Sequence, residues 1–425
     1  MTPVFFHPNL GSIHFDGPRS VIEDKDTLPA LVHVLMRLPT DVPNLSKFSM
    51  RGFCSSSDAL LPRISSTICS FRHLSYVSIE PAAITAQALL HLASLPCLTD
   101  LMTRLLSSDG DTIVAALKAP FDGVYFPKLR SLKLVYQDSF PVVSALIRAT
   151  HSPNLEELEV TFRHSHIAVQ DLKDVFCALA EHVSRSRLTR LQVRAAHLTA
   201  SSPETLTSKQ PVIDEDTLAP LLMLDGLTTL IFDIPTVPFF ITNRTFGRLA
   251  HSWPKIQELH LGNQFPPTTS GRPPATLDAL IFVAHFCPHL KTLTLPLNPH
   301  PDVLTDSRAM REAHPVLHGE HRALISLNIG RSPIDGSEVA PAAAFLSGLF
   351  PALKDIDDSF AYGEDLIGEE DLEDYPLEEI LRIHREVQYR TQWEKVLELH
   401  PKFVMVRKQE REWGRARSAI GSPQN

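Results

Sequence analysis

Catalytic chemistry in this sequence would have to come from histidine, cysteine and carboxylate side chains, and these are plentiful: 20 His, 49 Asp plus Glu and 5 Cys in 425 residues. Their spacing argues against catalysis. The tightest group, His314, His318 and His321 beside Glu320, is interrupted by Pro315 and Gly319 and matches no common zinc pattern. His164 and His166 form an isolated pair. Cys54, Cys69, Cys97, Cys177 and Cys287 lie too far apart for a zinc ribbon or a redox pair, a distribution that fits a reducing compartment. There is no phosphate-cradling GxxxxGK[ST], dinucleotide-type GxGxxG, GxSxG nucleophile elbow or HExxH. The expectation is a non-enzymatic chain without metal or cofactor.

A second chemistry, charge-selective recognition, is better represented. Lys133, Glu157, Glu159, Arg190, Arg194, Asp233, Glu258 and His260 all flank the apolar residues of one recurring phrase, as do His14, Asp16, Lys47, Arg51, Tyr76, Glu80, Asp100 and Arg104 earlier in the chain. Both signs alternate in blocks, which suits electrostatic selection of one protein partner. A nucleic-acid reader would instead carry a basic stripe with aromatic stacking platforms, and this row has a single Tyr. The formal charge of -9 points the same way.

The phrase that positions these residues is Pro-x-Leu-x-x-Leu-x-apolar. It reads PKLRSLKL from Pro127, PNLEELEV from Pro153, PKIQELHL from Pro254 and PHLKTLTL from Pro288, with eight looser copies. The first apolar residues run from Leu10 through Leu45, Leu74, Leu98, Leu129, Leu155, Leu188, Leu227, Ile256, Leu290 and Leu324 to Leu353, at a mean step of about 31 residues. Alternation at the end of each phrase predicts a short strand with one buried face. The proline ends the preceding helix and turns the chain. Helical periodicity lies between phrases, as at Leu172, Val175, Phe176 and Leu179 or Leu277, Leu280, Ile281 and Ala284.

No such unit buries its own apolar face, so units must stack. The expected fold class is α/β: a leucine-rich-repeat solenoid over residues 1–359, a horseshoe with short parallel strands on the concave face and helices on the convex face. The charged row then lines the concave face. Residues 200–211 and 263–274, polar and rich in proline, are expected to form rim loops.

The end of the chain differs in composition. Asp355 to Glu379 holds twelve acidic residues and no Lys or Arg, whereas Ile380 to Arg417 holds ten basic against five acidic. Residues 360–379 are read as an acidic linker. Pro376, then Ile380, Ile383 and Val387 on one face, followed by a cluster at Trp393, Val396 and Leu397, predict that 380–425 forms a helical cap or tail. Arg407, Lys408, Arg411, Arg415 and Arg417, interleaved with Glu410 and Glu412, read as a solvated face of it.

Twelve irregular PxLxxLxL units, an acidic stretch and the run PKFVMVRKQEREW from Pro401 resemble the leucine-rich-repeat region of the F-box-like proteins of mushroom-forming fungi. That resemblance implies an arm that selects a protein for ubiquitination, while a separate F-box docks on a Skp-type adaptor and cullin. No F-box phrase is found. Leu38-Pro39-Thr40-Asp41-Val42 leads straight into the next repeat. Adaptor and cullin are therefore expected as partners only if an F-box is supplied upstream or in trans. With neither a signal-type start nor an apolar run of spanning length, no membrane association is expected, and the cytoplasm or nucleus is.

Overall fold

The computed structural model describes residues 7–17, 27–52, 60–106, 109–119, 124–136, 141–150, 152–162, 168–184, 186–195, 212–234, 237–262, 272–299, 321–357 and 377–420. The chain forms two compact units, Met1–Ser202 with Asp216–Leu227, and Pro203–Glu215 with Thr228–Asn425.

In the first unit, strand and helix alternate strictly. The order is β1 (Ser12–Asp16), α1 (Thr27–Asp41), β2 (Lys47–Arg51), α2 (Leu60–Cys69), β3 (Tyr76–Ile84), α3 (Ala86–Ser94), β4 (Asp100–Leu105), α4 (Gly110–Lys118), β5 (Ser131–Tyr136), α5 (Pro141–Ala149), β6 (Glu157–Phe162), α6 (Val169–His182) and β7 (Arg190–Ala195). Each strand pairs in parallel with the next in sequence. The second unit continues the pattern with β8 (Thr229–Asp233), α7 (Asn243–Ser252), β9 (Glu258–Leu261), α8 (Ala279–Phe286), β10 (Thr292–Thr294), β11 (Ser326–Asn328), α9 (Val339–Leu349), β12 (Asp355–Asp357) and α10 (Leu377–Ile420). Its strands β8 to β12 are likewise parallel and in sequence order. Both units are leucine-rich-repeat solenoid, and all twelve phrases end in a strand.

One hydrogen-bonding device recurs at the strand entries. A single carbonyl accepts from two successive amides of the next repeat: Arg130 O takes Glu156 N at 2.8 Å and Glu157 N at 3.0 Å, and Glu156 O takes Thr189 N at 2.9 Å and Arg190 N at 3.0 Å. Gly11, Ser46, Ser75, Thr99, Thr228, Gln257, Lys291 and Ile325 supply the same double acceptor elsewhere. The first leucine of the phrase follows a tight turn, as where Leu129 N donates to Phe126 O or Leu290 N to Cys287 O. This repeated geometry fixes the register, and the register decides which side chains share a face.

The phrase leucines are buried outright: Leu129, Leu132, Leu155, Leu158, Leu188 and Leu191 are each at most 1% exposed. They face the helices, so the alternate strand residues form an open face. Thr85 caps α3 by accepting the Ala88 amide, and Thr242 caps α7 by accepting the Thr245 amide. One irregularity bears on the open face: against β4, β3 shifts register between Ser78 and Ala83, so that Arg104 stands opposite Ala83, while against β2 it stays regular and Glu80 stands opposite Arg51.

From Val42 onward, and among the described residues, the residue three before the first phrase leucine is buried, and where it is polar it bonds the preceding repeat. Ser152 Oγ donates to Leu129 O at 2.7 Å, and Cys287 Sγ lies 3.4 Å from Ala250 O. His321 Nε2 donates to Cys287 O at 2.7 Å while its Nδ1 accepts the Leu324 amide at 3.2 Å, which fixes the neutral tautomer.

The tail, expected to be helical from residue 380, is one helix that begins at Leu377 and ends at Ile420. The α10 helix runs through Pro401 and lies along α9. Trp393, 1% exposed, donates Nε1–H to Ser332 O at 2.9 Å, and His400, 2% exposed, bonds Phe350 O at 3.1 Å. Arg407, read from sequence as a solvated cation, instead donates to Ala344 O at 2.8 Å and Ser347 Oγ at 3.1 Å, near the C-terminal end of α9 where a cation is favoured. Of the stretch 263–274, expected to form a rim loop, residues 263–271 lie outside the described residues; Arg272 reaches Asp335 at 2.7 Å and the buried Glu338 at 2.8 Å. Residues 200–211 and 358–376 lie outside the described residues, as do His164, His166, His314, His318 and Glu320.

Candidate functional site

The open face of β5, β6 and β7 brings Lys133, Glu157, Glu159, Arg190 and Arg194 together. Register aligns Lys133, Glu159 and Gln192 in one row across β5, β6 and β7, and Ser131, Glu157 and Arg190 in the next. Lys133 Nζ lies 3.1 Å from Glu157 and 3.4 Å from Glu159, so one ammonium spans both carboxylates. Ser131 donates its hydroxyl to the second Glu157 oxygen at 2.9 Å, and Arg190 Nε approaches the first at 3.8 Å. These are cross-strand pairs of the kind that tie adjacent strands. Just before the strands, Arg130 makes two contacts to Glu156 at 2.9 and 3.0 Å.

Lys133, Glu157 and Glu159 side chains are 29%, 22% and 24% exposed. Burial works against the charged Lys133 amine, but hydrogen bonds and charge from Glu157 and Glu159 outweigh it and hold the amine above its ordinary value. Burial likewise would raise the Glu157 carboxyl, and the bonds from Lys133 and Ser131 with the charges of Lys133 and Arg190 bring it below the usual range. The cluster is a set of fixed, largely self-neutralised charges.

Beyond it, at the C-terminal ends of the strands, a second row runs Arg104, Val135, Thr161, Arg194 in register. Arg194 is exposed and the other three are half-buried. Ser131, Val135, Thr161 and Gln192 belong to this face and were not picked out from sequence. The signal was present, because strands β5 to β7 run two residues past the phrase and alternation continues through them.

Asp233, Glu258 and His260 belong to the second unit, where Glu258 stands beside Thr229 and Thr292, and His260 beside Ile231 and Thr294. Asp233 ends β8. His321, the described member of the imagined metal group, is occupied by two backbone bonds, and no three metal-ligating side chains converge among the described residues. Burial pushes the Cys287 thiol up to about 12, which marks it as packing rather than a nucleophile. Among the described residues no helix is long and apolar enough to cross a membrane.

Register, repeat phrase and open charged face define a leucine-rich-repeat protein. No family model matches the sequence. No curated protein is similar to it. Among solved structures, it is similar at 13% identity to the yeast Rad7 and Elc1 complex, over 82% of this chain and 91% of that one, with a TM-score of 0.26. It is similar at 13% identity to the TLR13–ssRNA13 complex, over 75% of this chain and 46% of that one, also with a TM-score of 0.26.

Proposed function

We propose that this chain is a protein-recognition scaffold, the substrate-selecting arm of an F-box-like ubiquitin-ligase component, and that the open face of the first unit selects the protein bound. The observation that carries the recognition reading is the Lys133–Glu157–Glu159–Arg190 network. Its charges are held in place by neighbouring strands before any partner arrives, so binding need not order them. A partner of complementary charge is favoured and a like-charged one repelled. The ligase assignment rests on the resemblance of the repeats, acidic stretch and C-terminal run to the fungal family.

Affinity capture of the tagged chain from a fungal extract, read by mass spectrometry, tests the ligase part. Co-purification of a Skp-type adaptor and a cullin supports it. Their absence from a capture that retains other specific proteins makes the chain a free-standing repeat scaffold unrelated to ubiquitination.

A further inference from the structure

The C-terminal helix α10 carries two lengthwise strips. Trp393, Val396, His400 and Arg407 hold it against the second unit: Trp393 and Val396 are buried, His400 bonds Phe350 O, and Arg407 donates to Ala344 O and Ser347 Oγ. On another side of the helix, Leu399, Lys402, Val406, Gln409, Trp413 and Ala416 recur at alternating steps of three and four, the spacing of a seam between two helices. At 3.6 residues per turn, the midline of this strip lies roughly 140° around the helix from that of the first. Leu399 is half-buried and the other five are exposed. Val406 and Trp413, with Met405 at the margin, leave large apolar side chains in solvent, at 44%, 63% and 57% exposure. Residues 408–416, about 13 Å of helix past Arg407, are all exposed.

We propose that this strip is an interface between two copies of the chain: α10 of a second copy lies antiparallel against it, about a two-fold axis between Arg407 and Lys408. This pairing is independent of what the open face binds. In that register Trp413 comes level with Lys402 of the second copy, Val406 with Gln409, and Ala416 with Leu399. The exposed end of each helix, 408–416, then rests on the segment of the other that is anchored to its own second unit. Charge favours this arrangement. Glu410 and Glu412, both exposed, border Trp413 on either side of the strip, so the arriving Lys402 ammonium meets an aromatic face and two carboxylates. The two-fold axis makes the contact twice and closes the assembly at two copies. A parallel pair would instead set the two Lys402 ammonium groups against each other. An anionic lipid surface is a poorer occupant, because it requires cations beside the strip and Glu410 and Glu412 stand there.

Sedimentation equilibrium of the full-length chain over a concentration series tests the pairing. The wild type should approach twice the chain mass as concentration rises. Trp413→Glu and Val406→Glu should each weaken association about tenfold or more with unchanged circular dichroism, because both side chains are exposed. Lys402→Glu and the double variant Glu410→Lys/Glu412→Lys should each associate weakly alone. An equimolar mixture of those two should recover the wild-type strength, since every Lys or Glu at 402 then meets opposite charge on the other copy. A wild-type chain that stays monomeric up to its solubility limit overturns the proposal, and so does a dimer that Trp413→Glu leaves intact. A mixture no stronger than the charge variants alone overturns the antiparallel register. A monomer that binds vesicles of phosphatidylcholine and phosphatidylserine, and loses them in Trp413→Glu, overturns the proposal in favour of a lipid surface.

Discussion

Replacing Lys133 by Met keeps the length of the stem and removes the ammonium that Glu157 and Glu159 share at 3.1 and 3.4 Å. Both contacts are about one quarter exposed, so each is worth about 0.5–1 kcal/mol rather than a buried-pair value. The two carboxylates sit two residues apart on the same face of β6, about 7 Å by strand rise, and their repulsion without the ammonium adds about 0.5 kcal/mol. Lys133→Met should therefore cost about 2 kcal/mol, seen as a lower urea midpoint for the transition that includes the first unit. The pH dependence carries a sharper signature. Because the folded Glu157 carboxyl lies below its reference value of 4.5, its contribution is present above that value and is lost as pH falls through the folded one. In Lys133→Met the carboxyl moves back up, so the loss of stability between about pH 5 and pH 3 becomes shallower. An unchanged midpoint together with an unchanged acid limb would refute the geometry assigned to this network.

Further outcomes follow from the packing. Arg272→Met leaves Glu338, 1% exposed, as a buried carboxylate without its cation, and should cost about 3 kcal/mol by urea denaturation; Arg272→Met with Glu338→Gln should recover most of it. His321 and His400 are both lowered, chiefly by burial, so their neutral forms stabilise the fold fully above about pH 6.5 and that contribution is lost as pH falls below it toward their folded values. His400→Gln can still donate to Phe350 O but does not titrate, and should flatten that limb of a stability-versus-pH profile. Gly262 has φ +68° and an added Cβ would lie 2.5 Å from the Phe239 ring, so Gly262→Ala should lower the melting temperature of the second unit, at a cost of about 2 kcal/mol.

The strands were legible because each is announced by a pair of apolar residues three apart and eight of the twelve phrases open on a proline turn, and such local signals add up when repeated. Lys133, Glu157 and Glu159 were legible as face residues for the same reason. Their mutual pairing was not, since it depends on which residue of β5 stands beside which of β6, and register across about 26 residues is set by backbone bonds such as Glu157 N to Arg130 O. Of the second row, Arg104 and Arg194 were legible and the uncharged Val135 and Thr161 were not, because the phrase ends before the strand does. Composition marked Arg407 as solvent-facing, yet the carbonyl end of α9 supplies acceptors that no local pattern could reveal. Pro401-Lys402-Phe403 has the opening of a repeat phrase but continues as helix in α10, with His400 bonding Phe350 O.

The central claim is that the open face of the first unit selects a protein. It is tested most directly by quantitative capture from a fungal extract with equal amounts of folded wild-type chain and of the Arg190→Glu/Arg194→Glu variant. Both replaced side chains are exposed, so the variant should fold, losing about 0.5–1 kcal/mol with the Arg190 contact to Glu157. The account predicts a small set of proteins that are abundant with the wild type and reduced at least tenfold with the variant. Identical sets at identical abundance would contradict it and move recognition elsewhere on the molecule.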